Sequence, residues 1–345
     1  MSDPDQMASA GSEHVVGNLQ HAFECSTRQR ALSATSIVLL SFSIALADHL
    51  LDFAAQVHTD VNAFLALDEY HGVKLVAVWG VMLQGAFPEL CVRKYNSLDR
   101  MLLALILRCK QYRCHDATQL HDFIEYGCGG GALTLECLRE GLCGVGLDKL
   151  AGLAQNALHP LGLRLWVNEL SVTRDKAVTW FGTQCSSFVP LCLSTSKRSC
   201  ANGYLGDETR LFVREGNALM NVTALLMLLS FWLGNVPVLE QPLGSVMPKS
   251  VPLQSVLAFM DAKRVVTWHK AFGAKSMKPF QILSPSGIIC ELRRDKPAGK
   301  SIALVRKNGD RFTGIKRRLV ASGAYTQMFG AAVAKMVKKH LAGEV

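Results

Sequence analysis

The stretch DFIEYGCGGGALTLECLREGLCGVGLDK, residues 122–149, decides how the rest of the chain is read. Residues 123–126 suit a short buried strand. Gly127, Gly129 and Gly131 let the backbone turn sharply and admit a ligand with no Cβ in the way. Residues 132–140 hold helix formers, with Leu133, Cys137 and Leu138 predicted on the inner face. Gly141 stands where a helix ends. A second apolar run, 142–147, is closed by Asp148. The predicted helix start offers unpaired N–H groups and a positive dipole end to a ligand. Asp148 follows Gly127 by 21 residues, the spacing at which a second strand presents a carboxylate to a ribose hydroxyl.

Two cofactor classes fit this unit. Gly127-x-Gly129-x-x-Ala132 matches the dinucleotide fingerprint, which implies a nicotinamide or flavin site. Glu125, two residues ahead of the first glycine, points elsewhere: acidic-x-Gly-x-Gly resembles the first motif of class I S-adenosylmethionine (SAM) methyltransferases. That resemblance implies that the loop of Glu125, Gly127, Gly129 and Gly131 cradles the amino-acid end of SAM, and that Asp148 holds its ribose.

Working outward, composition bounds the possibilities. The 345 residues are 49% hydrophobic and 19% charged, enough for one large or two modest domains with ample core. The 11 cysteines are scattered without paired metal-ligand spacing, so no metal site is expected. They favour a reduced intracellular compartment, nuclear or cytoplasmic, over a disulfide framework. The net charge of +9 is uneven: residues 1–245 carry 18 Lys and Arg against 23 Asp and Glu, and residues 246–345 carry 19 against 5. The basic C-terminal third has two readings, a surface for DNA or RNA and a solvated face.

Residues 1–30 are polar and read as a mobile tail. Residues 31–47 carry no charge, the short end of what spans a bilayer. Their serines and threonines favour a core helix over membrane contact. Apolar residues recur at helical spacing through 31–115, which reads as a helical region ahead of the core. After Asp148, a very short strand near 156–158 would set Asn156 beside the cofactor. Pro160 then opens a helix, with Leu161, Leu165 and Trp166 inward.

Residues 177–182 read as a buried strand running into Thr183-Gln184-Cys185-Ser186. The tail of a parallel strand is where open α/β sheets bind and react. Cys185 there is a candidate nucleophile if nearby cations favour its thiolate. Ser186, Lys197 and Arg198 belong to the turn and the following loop, 194–208, a candidate lid. A long helix over 211–233 leads to a strand at 236–239 that ends in Glu240-Gln241-Pro242. Glu240 is suited to protonating or fixing a substrate ring nitrogen. A helix at 253–260, a strand at 264–268, a hairpin around Asn308-Gly309 and a basic helix at 331–341 complete the chain.

In this order the motifs resemble the cytosine-C5 DNA methyltransferases, in patches over 122–341. Gly182-Thr183-Gln184-Cys185-Ser186 resembles the turn bearing that family's catalytic cysteine. Glu240-Gln241-Pro242 resembles the turn with its catalytic glutamate. Phe329-Gly330-Ala331-Ala332-Val333 resembles the family's last motif, also a turn. The resemblance implies that Cys185 attacks C6 of a flipped-out pyrimidine while Glu240 holds N3 and SAM methylates C5. Gln184, Gln241 and Ala331 depart from the family's pattern, and there is no room for a target-recognition domain between Pro279 and Tyr325. An inactive methyltransferase-like scaffold that binds nucleic acid, and an NAD(P) or flavin oxidoreductase, are the alternatives. The expected architecture is α/β: a Rossmann-like sheet with helices on both faces over 116–285, preceded by the helical region, with a basic hairpin and helix over 286–345.

Overall fold

The computed structural model describes residues 75–87, six residues within 102–109, 120–300, 302, 305–308, 311–314 and 322–344. The expectations for 1–30 and 31–47, and most of those for 31–115, lie outside these residues. Inside that stretch, helix α1 (Leu75–Ala86) buries Trp79, Leu83 and Ala86, spaced at one helical turn. No helix among the described residues is long and apolar enough to cross a membrane.

The protein is a mixed α/β fold built on a six-stranded, mostly parallel sheet. The strands are β1 (His121–Tyr126), β2 (Gly144–Leu147), β3 (Thr173–Phe181), β4 (Val236–Pro242), β5 (Lys263–Trp268) and β6 (Pro279–Ser284), in the order β2-β1-β3-β4-β6-β5. β2, β1, β3 and β4 run parallel, and β6 lies antiparallel to both β4 and β5. The chain moves outward from β1 to β2, then crosses back to place β3 on the other side of β1. β6 was not anticipated from sequence, because its ProPheGlnIleLeuSer run shows no alternation of apolar and polar residues. A two-stranded hairpin, β7 (Val305–Asn308) with β8 (Arg311–Gly314), forms at the expected Asn308-Gly309 turn.

Side-chain alternation gives the sheet two buried faces. On one, Phe123, Trp180, Val238 and Phe280 pack with Leu133 and Cys137 of α2 (Ala132–Arg139) and with Phe329 and Val333 of the C-terminal helix. On the other, the Tyr126 hydroxyl donates to the Trp166 carbonyl of α3 (Pro160–Ser171), 3.0 Å, and Thr179 bonds Ser230 of a long helix, 2.6 Å. Further helices among the described residues are α4 (Pro190–Ser196), α5 (Leu211–Trp232), which carries Ser230, α6 (Val251–Phe259) and the C-terminal α7 (Gln327–Leu341). Full burial of each large apolar side chain contributes about 1.5–3 kcal/mol.

Four expectations are corrected. Residues 156–158 form no strand: two short 3-10 turns follow Asp148, and the Asn156 side chain accepts from the Leu158 N–H, closing a turn instead. Helix α3 buries Trp166 as expected, but with Leu163, Val167 and Leu170 rather than Leu161, which is exposed, or Leu165, which is half-buried, because 163, 166, 167 and 170 recur at three and four residues on one face. Leu138 is exposed on α2, whose buried side carries Leu133, Thr134 and Cys137. Residues 329–333 lie within α7, not a turn, since Thr326 caps the helix and accepts from the Phe329 N–H.

Candidate active site

The tails of β1 and β3 meet at the point where the chain reverses its outward course, the position where open α/β sheets bind ligands. Gly127 makes this approach possible. Its φ is +77°, and a Cβ there would lie 2.8 Å from the Gly182 carbonyl oxygen. The strand ends are tied by Gly127 N–H donating to Leu147 O, 2.7 Å, and Gly182 N–H donating to Tyr126 O, 2.9 Å. Gly129 and Gly131 also sit at positive φ, and a Cβ at either would meet open space.

Asp148 binds this loop to the end of β2. Its Oδ2 accepts from the Gly129 N–H, 2.9 Å, and its Oδ1 from the Leu150 N–H, 2.8 Å. Each oxygen keeps a further lone pair. The side chain is half-buried at the lip of a cavity of about 380 Å3, within the usual range for small-molecule sites. Gly127, Asp148 and Asn156 line one side, and Gly182, Gln184 and Ser186 line the β3 side. The opposite wall was not anticipated: Trp166 from α3, and Phe212, Glu215, Gly216 and Leu219 from α5. Spacings of three and four place the last four on one helical face, a signal indistinguishable in sequence from core packing.

Glu125 stands behind the loop. It is fully buried, and its Oε2 accepts from Thr134 N–H (3.0 Å) and Thr134 Oγ1–H (2.7 Å), fixing the start of α2. Its Oε1 is buried with no hydrogen bond. Burial, with a smaller push from the Asp148 charge, moves its carboxyl up to about 7. So Glu125 braces the glycine loop and holds one unused acceptor.

Beside Glu125 on the same sheet face, Trp180 pairs with it in register. The Trp180 indole N–H donates to the Tyr325 hydroxyl, 3.2 Å, which donates to Glu240 Oε2, 2.9 Å. Tyr325 also lies against Gly182, 3.3 Å from where a Cβ would stand. Burial raises the Glu240 carboxyl, opposed by the nearby Lys278 ammonium and the Tyr325 hydrogen bond. Neither Tyr325 nor Lys278 stood out as a single residue in the sequence.

Cys185 is half-buried, between the lining residues Gln184 and Ser186, and is not itself in the cavity wall. Burial pushes its thiol up to about 11, with the Glu240 charge adding and Lys278 opposing. Cys185 and Glu240 therefore sense one another and share Lys278 as their cation. The Gln241 side chain donates to the Thr183 carbonyl, 2.8 Å, and joins the two turns.

The cations expected from the loop take other roles. Lys197 is exposed and ends α4. Arg198 is buried. It donates to the carbonyls of Ser187, Tyr204, Leu205 and Val213 and to the Asn217 and Ser187 side chains, and stacks over Phe188 at 3.6 Å. It is the internal post that shapes 196–217. No group of His, Cys, Asp or Glu among the described residues is arranged to hold a metal ion.

No protein-family model matches the chain, and no curated protein matches it in sequence.

Proposed function

We propose that the chain is a SAM-dependent methyltransferase-like protein of Rossmann-like fold. The observation carrying this reading is the cavity at the β1–β3 crossover. It joins the glycine loop, the Asp148 carboxylate and the reactive-type turn after β3. The residues fit the cofactor by their chemistry. Three glycines keep the loop open, Asp148 has lone pairs for a ribose diol, and the buried Glu125 Oε1 still lacks a donor. In the dinucleotide sheet the strands past the crossover follow one another in chain order, whereas here the antiparallel β6 is inserted between β4 and β5, which weighs against the nicotinamide and flavin readings.

When bound, SAM supplies an electrophilic methyl group. The chain supplies position and proton control. Glu125 and Asp148 hold the loop, and Trp166, Phe212 and Leu219 keep water from one wall. Glu240, held toward its protonated form, is suited to donate a proton to a ring nitrogen, with Tyr325 fixing its orientation. A pyrimidine of DNA or RNA is the acceptor class this pairing supports, with the basic C-terminal third as its electrostatic partner. A second reading has its own support: Cys185 holds its proton at neutral pH, as expected of a scaffold that binds SAM and nucleic acid without cysteine-dependent transfer.

Isothermal titration tests the cofactor. SAM is expected to bind at micromolar to submillimolar concentration and NADH is not. A folded protein that ignores millimolar SAM ends the proposal. Tritiated-methyl transfer to DNA and RNA then separates the readings: loss in both Cys185→Ala and Cys185→Ser marks the nucleophile, and transfer absent from wild type marks the scaffold.

A further inference from the structure

The C-terminal third presents its basic residues in two ways. On α7, Lys338 and Lys339 pair with Glu140 and Glu291, at 3.3 and 3.1 Å. Residues 269–300 carry seven Lys and Arg against two carboxylates, Glu291 and Asp295. Glu291 is the one taken by Lys339. Among the described residues, none of those seven cations forms an ion pair.

The unpaired cations stand at the cleft edge of the sheet. β6 runs antiparallel to both β4 and β5, so β4 and β5 point the same way and their tails share an edge. Glu240 lies at one tail and Trp268 at the other. Two strand spacings separate β4 from β5, about 10 Å. The connection from β5 to β6, residues 269–278, crosses at this edge and carries Lys270, Lys275 and Lys278. Phe280 pairs with Pro242 at the tail of β4, which sets Lys278 at the cleft end of the connection.

A strap, residues 293–300, is folded onto that connection. The Lys296 ammonium sits 5.6 Å over the Trp268 ring, and the Arg294 guanidinium 5.4 Å over Phe272. Lys270 Nζ donates to the Ala298 carbonyl, 3.1 Å, and to that of Lys300. The Ile302 N–H donates to the Lys275 carbonyl, 3.1 Å. Lys275, Lys296 and Lys300 remain exposed. Like charges gathered this way repel one another, and a polyanion relieves the repulsion. The cations run from the tail of β4 to the free edge at β5, so they suit a strand better than a broad anionic face.

We propose that this strap, with Lys275, is a phosphate track for a single nucleic-acid strand that leads into the cleft. The inference rests on the nucleic-acid reading above and adds where the strand lies. Lys275, Lys296 and Lys300 meet its phosphates, and an unstacked base reaches the tails of β3 and β4.

The test is fluorescence anisotropy with labelled single-stranded RNA and DNA of about 20 nucleotides, over a salt series from about 50 mM upward. Wild type is expected to bind, with log K falling linearly against log salt. Lys275→Ala/Lys296→Ala/Lys300→Ala is expected to bind about tenfold or more weakly, with a salt slope smaller by about two, as three lost single-strand phosphate contacts require. Lys275→Glu, which leaves both cation–ring contacts in place, should weaken binding alone. Lys263→Ala/Lys335→Ala removes exposed cations from the other end of β5 and from α7 and should bind as wild type does. A folded triple variant with wild-type affinity and slope overturns the track, and so does an equal loss in the Lys263/Lys335 control. Strap-dependent binding to phosphatidylserine vesicles, with neither polymer bound, overturns it in favour of a membrane. SAM titration of the same proteins keeps the two proposals apart: a wild type that binds SAM but neither polymer ends the track and leaves the cofactor reading intact.

Discussion

β1 carries a buried ionisable group at each end, and the two answer burial in opposite ways. At its start, His121 gains a proton against the pull of desolvation, because the influence of the Cys143 side chain and of the Glu169 carboxylate, 2.9 Å from Nε2, outweighs it. At its finish, Glu125 gains a proton because of desolvation, with Asp148 adding to the push and only Thr134 opposing. The lower end has its charges matched: Asp122 pairs with Arg174, and its second oxygen takes the Cys143 N–H. The upper end keeps an unbonded carboxylate oxygen, open glycines and a cavity. β1 thus ends in an ion pair on one side, its closed end, and in a cavity on the other, its open end, although each end keeps a buried polar atom without a hydrogen bond, His121 Nδ1 and Glu125 Oε1.

The contrast can be broken by mutation. The largest effect on stability is expected at the closed end. Asp122→Ala removes a buried carboxylate that bonds two partners, at a cost of about 2–4 kcal/mol in urea unfolding. SAM affinity, measured on the folded fraction, should be unchanged. A cost under about 0.5 kcal/mol would show that the lower end is not a closed network.

Glu125→Gln is expected to act through pH. The wild-type carboxyl is raised in the fold, so its contribution is fully present below pH 4.5 and is lost as pH rises through about 7. Glutamine keeps an oxygen for Thr134 and never ionises. It should therefore flatten stability between pH 4.5 and 8, gaining about 1–3 kcal/mol over wild type at pH 8. Parallel pH curves for the two proteins would mean that the upper carboxylate is compensated after all.

The smallest change in stability belongs to Asp148→Ala, under about 1 kcal/mol, because both N–H groups it accepts are exposed and can turn to water. Its effect belongs to ligand binding: about ten- to hundredfold weaker SAM by titration. A large loss of stability with unchanged SAM affinity would reverse the roles assigned to the two ends.

The strand–loop–helix–strand unit was legible because its signals are local. Three glycines at positive φ, a run of helix formers and the spacing to Asp148 are properties of neighbouring residues, and each element appears within a residue or two of its expected place. Asn156 reached the cavity although the strand meant to carry it does not exist, since a turn delivers a side chain as well as a strand does. Arg198 could not be placed in advance. Whether a loop arginine faces solvent or props up carbonyls from Ser187 to Val213 depends on how the loop folds back, not on its neighbours in sequence.

By itself the chain's order of residues determined the strand–loop–helix–strand unit of 121–147, the glycine turns within it, and which residues have the chemistry to react. Only the tertiary structure decided that β6 slots between β4 and β5, that Tyr325 joins Trp180 to Glu240 across 145 and 85 residues of chain, and that Lys278 is the cation beside Cys185. The reason is physical. Periodicity and φ preference act over a few residues, whereas desolvation and charge pairing depend on what distant segments bring to the same few ångströms.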